Sequence, residues 1–220
     1  MNDTKKAFRP TAVPLITVDP FFSLWSFSED LTFDHVRHWS GRRQGMYGIL
    51  RVDKKAYSFL GKPEPDDEMY YKKFPCMKQT ALKITPTSTC CTMETDEVVL
   101  DFSFTTPLVL DRLDILSRPI TYFEYSIRSK DGKEHNTVLY IDLAPECVTS
   151  DKNQKIEYRS SEVGAYFGRV TQQPLSRSGD RGTIDWGYIH IAHPEVYTYP
   201  ISRRKEIAYP WFEYEPKSFT

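Results

Sequence analysis

RPTAVPLITVDPFFSLWSFSEDLTFDHVRHWSGRRQGMYGILRVDKKAYSFLGK, residues Arg9 to Lys62, holds the features that decide the fold. Leu15 to Val18 and Phe21 to Phe27 are apolar and aromatic, and Asp19-Pro20 separates them. Proline donates nothing to a sheet ladder, so this break reads as a corner or an edge. A polar and aromatic loop follows, Asp34 to Gly41. A hairpin comes next, with Gly45 to Val52 as one strand, Asp53-Lys54-Lys55 as the turn and Ala56 to Leu60 as the return. The loop crowds His35, Arg37, His38 and Trp39 together between strands. Loops on a rigid scaffold carry binding groups, which makes Arg37, His38 and Trp39 candidate ligand-binding residues. The competing expectation is that Trp39 plugs a core edge, since tryptophan is highly buried on average. Packing is the weightier of the two.

Working outward, residues 1–8 read as a frayed lead, and Lys62 to Pro75 as a polar, proline-rich loop. Gln79 to Pro86 alternates, with Leu82 and Ile84 on one face, and Thr89 to Glu94 is a weak strand. Glu97 to Phe104 is the clearest half-buried strand: Val98, Leu100, Phe102 and Phe104 face one way, Asp101 and Ser103 the other. Leu108 to Pro119 is the one place where a helical turn competes. It is short and closed by Pro119, so it reads mostly as loop. Ile120 to Ser129 and Thr137 to Leu143 are expected to pair as a hairpin about Asp131-Gly132, with Phe123, Tyr125 and Ile127 turned inward. Lys155 to Arg159 and Gly164 to Val170 are shorter strands. Thr183 to Ala192 is apolar on both faces and is expected to be central in its sheet. Roughly ten short strands with hardly any helix predict an all-β chain, a two-sheet antiparallel β-sandwich. The expected layout is a lead at 1–8, a sandwich over 9–192 and an extended aromatic and proline-rich tail over 193–220.

Lys and Arg total 29 against 30 Asp and Glu, a net charge of −1, which argues against a nucleic-acid binder. Apolar runs fall short of the roughly 18 residues a membrane helix needs. The first residues, Met-Asn-Asp-Thr-Lys-Lys, lack the apolar core of a secretion signal. Cys90 and Cys91 are adjacent, so a strand sends them to opposite faces and no disulfide joins them. No metal site is expected. His190 and His193 have an odd spacing that puts them on opposite faces of a strand, and there is no HExxH or CxxC. GxSxG and GxGxxG are missing too, so neither a catalytic set nor a cofactor is expected. Trp186, within Asp185-Trp186-Gly187-Tyr188, joins the ligand-binding candidates, because an acid beside aromatic surface suits a pyranose ring. Sandwich core is again the weightier expectation for it.

Three long segments resemble one family in order. RPTAVPLITVDPFFSLWSFSEDL, RHWSG and MYGILRVDKKAYSFLGK resemble its start. FTTPLVLDRLDILSRPITYFEYSIRSKDGKEHNTVLYIDLAPE resembles its middle and SRSGDRGTIDWGYIHIA its end. The family is the glutaminase A-like proteins of fungi and Bacteroides-type bacteria. The resemblance covers about Arg9 to Ala192. It implies a supersandwich-like N-terminal region packed against a larger C-terminal helical-toroid domain. It also implies hydrolysis of glutamine to glutamate and ammonia by the whole protein, and an extracellular or periplasmic location. Against that expectation, these 220 residues stop before any helical domain, their stretch after His193 does not match the family, and their first residues show no export signal. No catalytic residue is carried over. The expected role is that of a noncatalytic N-terminal domain whose partner is the C-terminal helical domain, with self-association possible through the uncovered face. The alternative is a freestanding carbohydrate- or ligand-binding module.

Overall fold

The computed structural model describes residues 10–62, 74–151, 153–161, 164–174 and 184–192. The expected lead, most of the proline-rich loop and the expected tail lie outside the described residues. The chain is an antiparallel all-β sandwich, as expected, and its strands fall into four hydrogen-bonded ladders. The first is β1 (Val13–Thr17), β2 (Ser23–Ser26) and β3 (Val36–His38), in that order. The second centres on β4 (Met46–Val52), flanked by β5 (Lys55–Leu60) and by a strand from much later in the chain, β10 (Thr137–Leu143). The third is a meander of β6 (Lys78–Ile84), β7 (Ser88–Glu94), β8 (Val98–Thr105) and β9 (Tyr122–Ser129). The fourth is β11 (Ile156–Ser161), β12 (Gly164–Arg169) and β13 (Tyr188–Ala192). Helix among the described residues is one turn, α1 (Leu113–Leu116), and a 3-10 turn at Pro145–Cys147.

Alternation explains the layers. Strand side chains point to opposite faces in turn, and β8 buries Val98, Leu100, Phe102 and Phe104 while Asp101 and Ser103 stay half-exposed. β4 is buried on both faces. Met46, Leu50 and Val52 enter the main core, and Tyr47 and Ile49 join Ala56 in a second, smaller cluster on the other face. All four ladders feed the one main core: Leu24, Phe59, Phe102 and Phe167 come from one ladder each. Each such side chain contributes about 1.5–3 kcal/mol by leaving water. The Phe59 and Phe102 rings lie 5.1 Å apart and join the second ladder to the third. At the first ladder's edge, the Thr89 hydroxyl donates to the Pro14 carbonyl at 2.6 Å.

Four expectations are corrected. The Ile120–Ser129 and Thr137–Leu143 segments do not pair with each other. β9 pairs with β8 along its whole length, whereas β10 crosses over to pair with β4 from Thr137↔Val52 to Leu143↔Met46. Asp131-Gly132 therefore begins a passage between ladders. That passage is pinned where the Asn136 N–H donates to Asp53 at 2.9 Å and His135 bridges Asp53 and Asp131 at 2.8 and 2.9 Å. Tyr125 shares a face with Phe123 but is exposed, because β9 is the outermost strand of its ladder. β13 pairs with β12 alone among the described residues. Among those residues it stands at the edge of its ladder rather than at the centre, with Ile189 buried and Tyr188 and His190 outward. Finally, part of the expected Asp34–Gly41 loop is strand: Val36–His38 pairs with Leu24–Ser26.

Candidate functional site

The Asp19-Pro20 corner and the β3 end build the first half of the site. The Asp19 carboxylate accepts the N–H groups of Phe21 at 2.7 Å and Phe22 at 3.0 Å, which folds the chain back and presents the Pro20 carbonyl. Two rings converge on that carbonyl: His38 Nε2 at 2.8 Å and Trp39 Nε1 at 2.6 Å. A carbonyl only accepts, so Nε2 carries the His38 proton. Nδ1 then accepts from Ser40, whose N–H lies at 3.2 Å and hydroxyl at 2.8 Å. Burial is the main force holding the His38 pKa below the ordinary histidine value, with Arg42 adding to it, and this agrees with the neutral tautomer. His38 is wholly buried, and both its nitrogens are committed to shaping the loop. Arg37 grips Asp34 through two hydrogen bonds, at 3.2 and 3.0 Å, and this contact is the leading cause of the lowered Asp34 pKa. Trp39 packs tilted against His38 and is 54% exposed, so it offers ring surface to solvent.

The second half surrounds Trp186. Its neighbour Asp185 is fully buried. One carboxylate oxygen, Oδ2, takes the Arg169 guanidinium and, at 2.9 Å, the Gln154 amide. Oδ1 has no hydrogen-bond partner among the described residues, nor does the buried Trp186 Nε1. Gln172 closes the turn by accepting the Gly187 N–H at 2.7 Å.

Hydrogen bonds connect the two halves. Arg42 donates to the Thr149 carbonyl at 2.9 Å, the next residue, Ser150, donates to Gln154 at 2.7 Å, and Gln154 donates to Asp185. The segment that follows Trp39 and the Asp185-Trp186 turn thus lean on the same three residues, Thr149, Ser150 and Gln154. His38 and Trp39 are brought together at the Pro20 carbonyl, Arg37 turns instead to Asp34, and among the described residues these hydrogen bonds link the Trp186 turn to them. Sequence reasoning missed Arg169, Gln154 and Arg42. The acidic neighbour of Trp186 was the one visible signal, and nothing local marks its distant partners. Chemically, the arrangement offers an exposed ring at Trp39 and ion pairs already satisfied by protein. Among the described residues, no group of three or more His, Cys, Asp or Glu could hold a metal ion.

Comparisons with known proteins fit this layout. Residues 87–210 match the family described as Domain of unknown function (DUF5127), and residues 1–68 match Domain of unknown function (DUF4964). The two matched segments interlock, since β10 of the later one pairs along β4 of the earlier one and both feed the main core. Glutaminase A of Aspergillus oryzae is 28% identical over 190 residues, which cover 81% of this chain and 26% of that protein. The chain therefore spans about a quarter of the length of the curated relative it matches. No solved structure matches it. The chain belongs to the DUF5127 family and corresponds to the N-terminal region of glutaminase A-like proteins.

Proposed function

We propose that this chain is a noncatalytic N-terminal β-sandwich domain of an exported glutaminase A-like hydrolase. It braces a larger C-terminal part in which glutamine is hydrolysed to glutamate and ammonia. The carrying observation is the lopsided alignment: four-fifths of this chain corresponds to about a quarter of glutaminase A. The site chemistry supports it. Amide hydrolysis needs an activated water or nucleophile, a proton donor and oxyanion stabilisation in one pocket. Here His38 has both nitrogens engaged in loop structure, and Asp185 is tied to Arg169 and Gln154. The test is ammonia release from glutamine by the purified 220-residue chain. The expected result is no release above the buffer rate, and turnover of about 1 s⁻¹ or more overturns the reading.

A second reading, a carbohydrate- or ligand-binding module, draws on the outer face of the fourth ladder. Tyr188 lies across Gly168, where a side chain would collide with its ring. Its hydroxyl is held by Glu157 at 2.9 Å, and the ring is 40% exposed. Tyr166 meets it edge-on at 5.5 Å and stacks on His190 at 4.9 Å. Fixed, outward rings suit the apolar face of a sugar. Calorimetric titration with maltotetraose and cellotetraose decides: binding that Tyr188→Ala abolishes favours this reading, and no heat with either probe removes it.

A further inference from the structure

The longest passage between paired strands of the third ladder, residues 106–121 between β8 and β9, gathers several exposed apolar side chains in one short stretch. Leu108, Leu110 and Leu113 are 58%, 72% and 74% exposed, and Ile120 and Tyr122 add to them. The passage is built rather than slack. Thr106 N–H donates to the Thr87 carbonyl at 2.9 Å, and the Thr106 and Thr121 hydroxyls meet at 2.8 Å to close its base. Arg112 forks onto Asp114 at 2.9 and 2.8 Å, just where α1 begins. Backbone bonds from Ile115 and Leu116 to Arg112, and from Ser117 to Leu113, hold the single turn. The frame keeps three leucines in water when nothing in the local fold requires it. Its charges cancel: Asp111 and Asp114 against Arg112 and Arg118. A surface that is apolar, ordered and without net charge does not suit nucleic acid or a charged peptide. Clustered apolar exposure of this kind marks an interaction face. The passage adjoins β9, whose outer edge has no strand partner among the described residues.

We propose that the Leu108–Leu110–Leu113 surface, with Ile120 and Tyr122, is the seat of the C-terminal part of the same polypeptide, docked in cis. This rests on the N-terminal-domain reading above and adds the face to it. The occupant follows from length. Three-quarters of the glutaminase A relative lies outside the aligned stretch, so an intramolecular partner several times larger than this domain is available there. Tethering keeps such a partner at high effective concentration, so a modest apolar patch suffices.

The test fuses the full 220-residue chain to the part of Aspergillus oryzae glutaminase A that follows the aligned stretch, and compares carbene footprinting of the fusion with that of the chain alone. Labelling of Leu110 and Leu113 is expected to fall at least about five-fold, as for side chains at the buried centre of an interface, with Trp39 and Tyr188 unchanged. Leu110→Glu with Leu113→Glu should leave the unfolding midpoint of the isolated chain unchanged and restore labelling of Leu108 in the fusion. If the fusion is insoluble, the same labelling is read with the C-terminal part added in trans. Protection at Trp39 or Tyr188 with the leucines still labelled overturns the proposal and leaves the domain reading standing. A fusion in which no face is protected overturns the domain reading itself. Sedimentation that shows the isolated chain dimerising with its leucines protected makes a second copy the occupant and overturns docking in cis.

Discussion

Replacing Gly48 by alanine should destabilise the fold through one ring, and shortening that ring should recover part of the loss. Gly48 sits in β4 where the pairing with β5 shifts: Gly48 pairs with Leu60 and Ile49 with Ser58, leaving Phe59 as the extra residue of a bulge. The ring of Phe59 folds over Gly48, so an added Cβ would collide with its outer carbons and would lie 2.9 Å from Leu60 Cβ. Gly48 has no left-handed backbone, so the whole cost is steric. Phe59 is fully buried and leans on Phe102, which leaves it little room to retreat. Overpacking of this kind costs about 1–3 kcal/mol, or a melting temperature lower by roughly 2–4 °C per kcal/mol for a chain of this size. Phe59→Leu alone leaves a partial cavity and costs about 1–2 kcal/mol. Leucine lacks the outer ring carbons that the new methyl group would meet, so the double variant should be more stable than the sum of the singles by about 1 kcal/mol. The Leu60 contact persists, so the rescue is incomplete. The assay is urea unfolding of all four proteins followed by circular dichroism. Additivity within about 0.5 kcal/mol, or a Gly48→Ala variant as stable as the parent, refutes the ring-over-glycine reasoning.

His135 is held above the ordinary histidine pKa, first by its hydrogen bond to Asp53 and next by that to Asp131. A raised histidine contributes stability that is full below about pH 6.5 and is lost as pH rises through its folded value. The urea midpoint of the parent should therefore exceed that of His135→Gln most at pH 6 and converge with it as pH climbs; a constant gap disproves the bridge. Asp53 and Asp131 are both held below the usual carboxylate value, chiefly by His135, so their share is lost at the acidic end as pH falls through their folded values. Asp185→Asn strips the charge from a buried partner of Arg169 and should cost about 3 kcal/mol in urea unfolding, with Asp185→Asn in an Arg169→Met background costing clearly less. All four cysteines are thiols, and burial pushes Cys91 up to about 12 and Cys147 up as well. A thiol reagent at pH 8 should modify the exposed Cys76 first and reach Cys91 and Cys147 only on unfolding, with four thiols counted in denaturant; fewer than four means a disulfide has formed.

What the chain shows by itself is local. The alternation in Glu97–Phe104 marks β8 and its buried face, and the run Gly45–Leu60 marks the β4–β5 pair, because strand periodicity and turn chemistry act over a few residues. The opposite facing of Cys90 and Cys91 follows in the same way, with Cys91 buried and Cys90 half-buried. Short proline-broken aromatic segments could not build helices, and the all-β class was legible from them. What only tertiary structure decided is partner choice. Asp131-Gly132 has the local chemistry of a hairpin turn, yet β10 left β9 for β4, more than eighty residues upstream in the chain, and supplies hydrogen-bond partners to the edge of β4 that β5 leaves open; a strand buried on both faces cannot leave those backbone groups unpaired. The candidate site divides along the same line. Arg37, His38 and Trp39 could be named because they crowd together in the chain. Arg169, Gln154 and Arg42 could not, because their meeting with Asp185 and Thr149 is made by strands and turns far apart in sequence. Exposure divides that way too. The leucines of residues 108–113 read like any apolar run, and only the folded arrangement shows that they face water, since burial is a property of what packs above a residue and not of the residue itself.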